Sequence, residues 1–237
     1  EGTEVRDVAG HYLFGGIFYG HFGHFIVESL ARVWALDAMR ETLDGIIFTP
    51  KIARVTEQTV ANYRELLDAF GIDLPIVIAD GVLRVECLSV PRQGFGMYDL
   101  AEGSAPFRDY INSRVGRDIP AEGPEKLYVS RSKLGRNRGS ILGEYRLEEY
   151  LAAEGYEIFH PQLASQNEQI ARYKAARRII GTDCSPLHLL GYVGDSGQKT
   201  AILTRRSMEI GGYLVTQLRS FKQMEAIEVN ALVNDWM

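Results

Sequence analysis

Cysteine is scarce in this chain, since only Cys87 and Cys184 occur among 237 residues. A disulfide framework is therefore not expected, and the sequence predicts a protein of a reducing, cytoplasmic compartment. Long apolar runs are also missing, because glycines and histidines interrupt the most apolar stretch, Tyr12–Val27, before it reaches the length of a membrane span. We expect no transmembrane segment, which still allows peripheral association with a membrane.

An excess of positive charge is missing as well. The net charge of −5 argues against binding to a nucleic-acid backbone, which needs a clustered positive field. A local basic cluster at residues 126–138 contains no acidic residue and is too short for a duplex. Its size suits a pair of phosphates.

The order of elements indicates an α/β fold with parallel strands. In the first half the apolar spacing predicts helices at His24–Arg40 and Glu57–Phe70. The stretch Gly116–Pro124 has the composition of a linker, so we expect two halves, residues 1–119 and 120–237.

The second half alternates regularly between strands and helices. One loop, rich in arginine, follows the strand Leu127–Ser130, and a second loop follows the strand Arg178–Gly181. Both loops are expected at one edge of a parallel sheet, where open α/β folds bind ligands. Guanidinium groups and a helix N-terminus both favour phosphate, so this pattern predicts an anion site that contains Arg131, Arg136, Arg138, Thr182 and Ser185. The alternative is a solvated surface loop, with Ser185 acting only as a helix cap.

The segment His21–Glu28 is the second candidate for chemistry. His24 and Glu28 are four residues apart, which places them on one face of a helix. An imidazole at a helix start can deprotonate an alcohol, and a carboxylate behind it can fix its tautomer. Two alternatives remain open: a metal site that includes His21, and a purely structural helix start.

Cys184 and His188 are also four residues apart. A thiol at a helix N-terminus can act as a nucleophile. No signature of a cysteine hydrolase surrounds Cys184, so we expect it to pack as a small buried residue.

Taken together, these residues resemble the family 61 glycosyltransferases, which include bacterial proteins of capsular polysaccharide synthesis. The resemblance covers about residues 11–205 and consists of four blocks in the family's order. They are a His-aromatic-x-x-Glu segment, a Ser-Arg strand end with an arginine-rich loop and a following Glu, a Ser-x-x-x-Gln segment, and a glycine-containing loop before a helix. Here the blocks are His24–Glu28, Ser130–Glu144, Ser165–Gln169 and Gly181–Leu187. The fourth departs from the family pattern, because Asp183-Cys184 stands where His-Gly is usual.

The resemblance implies a GT-B-like architecture, with two Rossmann-like halves whose parallel sheets face each other across a cleft. It implies inverting transfer of a hexose or pentose from a nucleotide-sugar donor to a glycan or lipid-linked acceptor, without a cofactor or metal. The sequence agrees in having no Asp-x-Asp motif. Residues 1–119 would hold the acceptor; because such enzymes are usually longer, we expect part of this half to lie upstream. Residues 120–237 would hold the donor.

Residue roles follow from the matched blocks. His24 and Glu28 are the expected catalytic pair, and the expected donor-binding residues are Arg131, Arg136, Arg138, Glu144, Thr182, Asp183 and Ser185. The altered Asp183-Cys184 loop and the short chain leave an alternative open, a non-catalytic module of the same fold that binds glycans or serves in assembly.

Overall fold

The computed structural model describes residues 4–52, 55–135, 138–139, 141–206 and 208–230. The chain divides into two compact units, Glu1–Val115 and Gly116–Met237. Each unit contains one sheet, and the described strand pairs are parallel in both. The predicted α/β class with two parallel sheets is therefore confirmed. Within the described ranges, no helix is long and apolar enough to cross a membrane.

The sheet of the first unit has the strand order β3-β2-β1-β4. Its strands are β1 (Val5–Phe18), β2 (Gly45–Pro50), β3 (Ile76–Ile78) and β4 (Val82–Ser89). From the central strand β1 the chain adds β2 and then β3 on one side, and it then crosses to the other side of β1 to form β4. Such a reversal of direction marks the place where Rossmann-like sheets bind ligands at the carboxyl ends of their strands.

The central strand β1 was not predicted from the sequence, because glycines interrupt its apolar pattern. The structure shows why they are there. Gly10 and Gly16 have φ of +101°, and they lie at two shifts of register, against β4 and β2 respectively. A β-bulge of this kind favours glycine, which adopts positive φ without strain. A Cβ on Gly15 would lie 2.3 Å from the ring of Phe48.

The first unit has short helices rather than the long ones that the sequence predicted. They are α1 (Phe22–His24), α2 (Leu36–Met39), α3 (Glu57–Ala61), α4 (Arg64–Ala69) and α5 (Ala105–Arg114). The continuous helix His24–Arg40 is wrong, because a π-helical turn at Phe25–Ser29 and a 3₁₀ turn at Val33–Ala35 interrupt it. The helix Glu57–Phe70 is also divided, since the backbone of Tyr63 leaves helical values.

The sheet of the second unit has the order β6-β5-β7-β8-β9. Its strands are β5 (Lys126–Val129), β6 (Glu157–Phe159), β7 (Arg178–Thr182), β8 (Lys199–Leu203) and β9 (Glu225–Val229). Its helices are α6 (Glu144–Ala153), α7 (Gln166–Ala175), α8 (Pro186–Val193) and α9 (Met208–Lys222). The strands β5 and β7 lie within one residue of their predicted bounds, Leu127–Ser130 and Arg178–Gly181. The helix α9 and the strand β9 were not predicted.

Two helix starts in this unit test predictions of capping. The spacing of Ser165 and Glu168 predicts a capping box, and Ser165 does cap α7, because its Oγ accepts from the N–H of Glu168 at 3.1 Å. The reciprocal bond of a capping box is wrong, since the carboxylate of Glu168 instead accepts from Nε of Arg172. At α8 the predicted cap is also wrong. Ser185 has helical φ and ψ and makes no side-chain capping bond, because a cap requires an extended backbone there.

Helix α8 fixes the position of the loop before it. Leu187, Leu189, Leu190 and Tyr192 are fully buried on it. Burying each such side chain contributes roughly 1.5–3 kcal/mol to stability. Residues 182–185 are therefore attached to one of the most deeply buried elements of the unit.

Candidate active site

The carboxyl ends of β5 and β7 bring the two predicted loops of the second unit side by side. Val129 and Gly181 are register partners on these strands. Ser130 and Arg131 follow β5, while Thr182 ends β7 and Asp183 follows it. The chain runs from β5 outward to β6 and then crosses to β7, so the two loops flank the topological switch point of this sheet. Open α/β sheets bind their ligands in the crevice at this point.

Arg131 organises the basic loop through its own backbone and side chain. Its N–H donates to Oε1 of Glu144 at 2.8 Å. Its guanidinium donates to the carbonyl oxygens of Arg138 at 2.6 Å and Gly139 at 3.1 Å. Arg138 itself is exposed. The predicted residue Arg136 lies outside the described residues.

Glu144 holds the start of this loop from beneath. Its side chain is buried, and its Oε1 accepts from the hydroxyl of Tyr128 at 3.0 Å and from that of Ser130 at 3.3 Å, besides the N–H of Arg131. Burial and the neighbouring Glu144 carboxylate raise the pKa of Tyr128, so this phenol stays a hydrogen-bond donor. A contact between Glu144 and a donor remains a prediction.

Three further polar residues near this loop, Ser132, Glu148 and His160, were missed from the sequence. Oε1 of Glu148 accepts from the hydroxyls of Ser130 at 2.5 Å and Ser132 at 2.6 Å. His160 follows β6 and is buried, and its pKa is lowered by burial and by Lys133, although Glu148 and Glu144 act in the opposite direction. Its position immediately after a parallel strand was the signal that could have identified it.

Asp183 has a buried carboxylate that two arginines approach. Its Oδ2 accepts from the backbone N–H of Arg205 at 3.1 Å, and its Oδ1 lies 3.2 Å from Nε of Arg205 and 3.6 Å from Nε of Arg206. These arginines lie just after β8, next to β7, and were missed although the strand before them was predicted. Thr182 is fully buried beside this group, and Ser185 is partly exposed.

Cys184 packs as a small buried residue. Burial raises the pKa of its thiol to about 11, although Arg131 acts in the opposite direction. The thiol is therefore protonated at neutral pH, which agrees with the expected packing role and gives no support to a nucleophile. His188 bonds through Nδ1 to Oε1 of Gln217 at 2.7 Å.

In the first unit, His24 and Glu28 meet directly. Nδ1 of His24 lies 2.5 Å from Oε1 of Glu28. The His24 side chain is 57% exposed, so it is not packed in the core. Because a carboxylate only accepts hydrogen bonds, Nδ1 of His24 is the donor to Glu28, and in the neutral ring Nε2 then presents a lone pair. Glu28 thus orients the imidazole of His24, and the role of a base remains a prediction.

The π-helical turn places this pair at the carboxyl end of β1. The N–H of Leu30 bonds to the carbonyl of Phe25, five residues earlier, which widens the turn. Ser29 ties the turn to the strand, because its Oγ accepts from the N–H of Tyr19 at 3.0 Å and donates to the carbonyl of Ile17 at 2.8 Å. Such π turns occur frequently at functional sites. This turn could not be predicted from the apolar spacing alone.

Aromatic rings surround His24. The ring of Tyr19 stacks on it at 5.1 Å, and that of His21 meets it edge-on at 5.4 Å. Burial raises the pKa of Tyr19, and the carboxylate of Glu28 raises it further. Tyr19 thus stays neutral and covers one face of the His24 imidazole.

A metal at His21, His24 and Glu28 was an open alternative. Over the part of the chain that the structure describes, no group of three or more His, Cys, Asp or Glu side chains is positioned to hold a metal ion. The candidate site residues thus lie in two places. His24 and Glu28 form a pair in the first unit, and the arginine-rich edge at the ends of β5 and β7 belongs to the second.

Comparison with known proteins gives the family of the chain. No curated protein matches the chain at a significant level. The model of a family described as Glycosyltransferase 61 matches residues 22–200, about three quarters of the chain. The match begins just before His24 and includes the arginine-rich loop and the loop after β7. The chain belongs to the glycosyltransferase 61 family.

Proposed function

We propose that this protein is an inverting, metal-independent glycosyltransferase that moves a hexose or pentose from a nucleotide-diphosphate donor to a hydroxyl of a glycan or lipid-linked acceptor. A role in surface or capsular polysaccharide synthesis is part of the proposal. So is a GT-B-like arrangement, in which residues 1–119 form the acceptor half, residues 120–237 form the donor half, and the two face each other across a cleft.

One observation carries the donor half of the proposal. The switch point of the second sheet is flanked by the Arg131 loop and by the Asp183 loop, with Arg205 and Arg206 beside it. A leaving diphosphate gains negative charge as the glycosidic bond breaks. Fixed guanidinium groups and backbone amides stabilise that charge without reorganising.

The acceptor half rests on His24. Nε2 would take the proton of the acceptor hydroxyl while its oxygen attacks the anomeric carbon, and the bond to the diphosphate breaks on the opposite face. One such displacement inverts the anomeric centre. Glu28 stabilises the imidazolium through the 2.5 Å bond to Nδ1.

The experiment that tests this function needs no known acceptor, because glycosyltransferases often transfer slowly to water. A panel of α-linked donors (UDP-glucose, UDP-N-acetylglucosamine, UDP-xylose and GDP-mannose) is incubated with the protein in EDTA, and NMR identifies the anomer formed first. The proposal predicts the β anomer. The α anomer first would contradict inversion, and turnover only after a divalent metal is added would contradict metal independence.

A non-catalytic module is the second candidate, and one observation favours it. The Arg131 guanidinium donates to carbonyl groups of its own loop, as a purely structural brace would. This candidate predicts that the protein binds a glycan and turns over none of the donors.

A further inference from the structure

Asp183 is one of the predicted donor-binding residues, but its carboxylate is buried beside the switch point. Its side chain is completely buried, and an isolated carboxylate in such a place is strongly destabilising. Two guanidinium groups approach it, those of Arg205 and Arg206. One negative and two positive charges leave the group with a net charge of +1. The group therefore attracts anions although it contains a buried acid.

The two arginines have different surroundings. The side chain of Arg205 is only 11% exposed, and its Nη2 donates to the carbonyl of Asp183 at 3.4 Å. Its Nη1 lies against the backbone of Gly139, where a Cβ would be 2.6 Å away. Gly139 has φ of +66°, and its carbonyl accepts from Arg131. Arg205 thus joins the Asp183 loop to the basic loop and is largely enclosed by them.

Arg206 is in contrast 48% exposed, while its Nε lies 3.6 Å from Oδ1 of Asp183. A guanidinium has five N–H donors, and its outer edge matches two phosphate oxygens. Since Asp183 restrains the inner edge, less side-chain freedom is lost when the outer edge binds. The residue lies after β8, beside the loop after β7 and therefore next to the switch point.

We propose that Arg206 is a direct ligand of the donor's diphosphate, and that Asp183 and Arg205 are positioning residues that orient Arg206 and tie it to the basic loop. This inference rests on the proposed function and extends its donor site by one strand. Asp183 then acts on the donor through Arg206 instead of contacting it.

The test is calorimetric titration in EDTA with ADP, CDP, GDP, UDP and dTDP, followed by titration of the tightest of these into variants. Arg206→Ala should weaken binding by about 10- to 100-fold, as expected for loss of charge-assisted bonds. Arg206→Lys should retain part of the affinity, because it keeps the charge but loses the planar fork. Arg178→Ala is the matched control, since Arg178 is an exposed arginine at the opposite end of β7. This variant should bind the diphosphate as tightly as the wild type does.

The corresponding nucleoside, which lacks phosphates, separates a direct contact from a structural role. If Arg206 only supported the fold, Arg206→Ala would weaken binding of the nucleoside and of the diphosphate alike. Arg206→Ala should bind that nucleoside as the wild type does, and its diphosphate affinity should depend less on salt. Asp183→Asn should resemble Arg206→Ala in this selectivity, with a lower melting temperature.

The outcomes distinguish a failure of this inference from a failure of the proposed function. If Arg131→Ala weakens diphosphate binding and Arg206→Ala does not, the inference is overturned and the proposed function stands. Equal losses for nucleoside and diphosphate in Arg206→Ala would also overturn it. If the wild type binds none of the five diphosphates, the proposed function fails and the inference fails with it.

Discussion

At the scale of single residues, the chemistry of the first unit depends on how His24 is held. Glu28 bonds to Nδ1, the ring of Tyr19 covers one face, and more than half of the side chain remains exposed. An imidazole in a core would have its second nitrogen bonded and its surface covered. His24 is instead more than half exposed, as its proposed role of a base requires.

We expect His24→Ala to lower kcat by about 100-fold or more, the usual contribution of a general base. Donor affinity should remain intact, because the predicted donor residues belong to the second unit. Glu28→Gln should give a smaller loss, since the amide still accepts from Nδ1 but no longer stabilises the imidazolium. The measurement is steady-state kinetics alongside donor titration, and His24→Ala with normal kcat would eliminate His24 as the base.

At the scale of elements, α6 serves as the support of the basic loop. Its first residue, Glu144, accepts from three groups of the neighbouring strand and loop through one oxygen. Its fifth, Glu148, bonds to the hydroxyls of Ser130 and Ser132. The start of the loop is therefore held by two carboxylates one helical turn apart.

Removing the first of these carboxylates should destabilise the fold. Glu144→Ala leaves the buried donors of Tyr128 and Arg131 without their acceptor, so we expect the free energy of unfolding to fall by about 2 kcal/mol or more. Glu149→Ala is the matched control, because Glu149 is an exposed neighbour on the same helix and its loss should change little. Urea denaturation measures both, and equal stability of the two variants would refute the supporting role.

The elements of the second unit from β5 to α8 were predictable for a simple reason. Each apolar run is short, is bounded by turn residues and fits the periodicity of either a strand or a helix. The strand β1 was not, since its glycines serve bulges and the close approach of Phe48, which only the folded sheet reveals. The π turn at Phe25–Ser29 depends on bonds from Ser29 to a distant strand.

Some residues of the candidate site could likewise be predicted from the sequence, and others could not. His24 and Glu28 could be paired from their spacing alone. Arg205 and Arg206 could not be assigned, because their relation to Asp183 arises from the adjacency of β7 and β8, strands that are separated along the chain by a helix.

At the scale of the whole molecule, two units with parallel sheets carry the two sets of residues, and the family match includes both. The stability of the whole protein is also reduced by the burial of one charged group, the amine of Lys222. Lys222, at the end of α9, has its pKa lowered to about 8 by burial, with Asp195 acting in the opposite direction. Below that pH the amine is charged in both the folded and unfolded protein, and folding must bury the charge.

Lys222→Met should therefore raise the free energy of unfolding at pH 7, by about 1–3 kcal/mol. The unfolded lysine loses its proton only near pH 10.5, so the cost of burial diminishes as the pH rises from about 8 to that value. The advantage of the variant should shrink over the same interval. Chemical denaturation at several pH values measures this, with Lys199→Met, an exposed lysine, as control. A difference that does not vary with pH would contradict the explanation.

We propose that the arginine-rich edge of the second sheet binds the donor's diphosphate, and calorimetry of Arg131→Ala in EDTA tests this binding most directly. With the nucleoside diphosphate that the wild type binds best, the variant should lose about 1.5–3 kcal/mol of binding free energy while circular dichroism shows it folded. Arg178→Ala, at the opposite end of the same sheet, should bind as the wild type does. A folded Arg131→Ala protein with unchanged affinity would contradict the account.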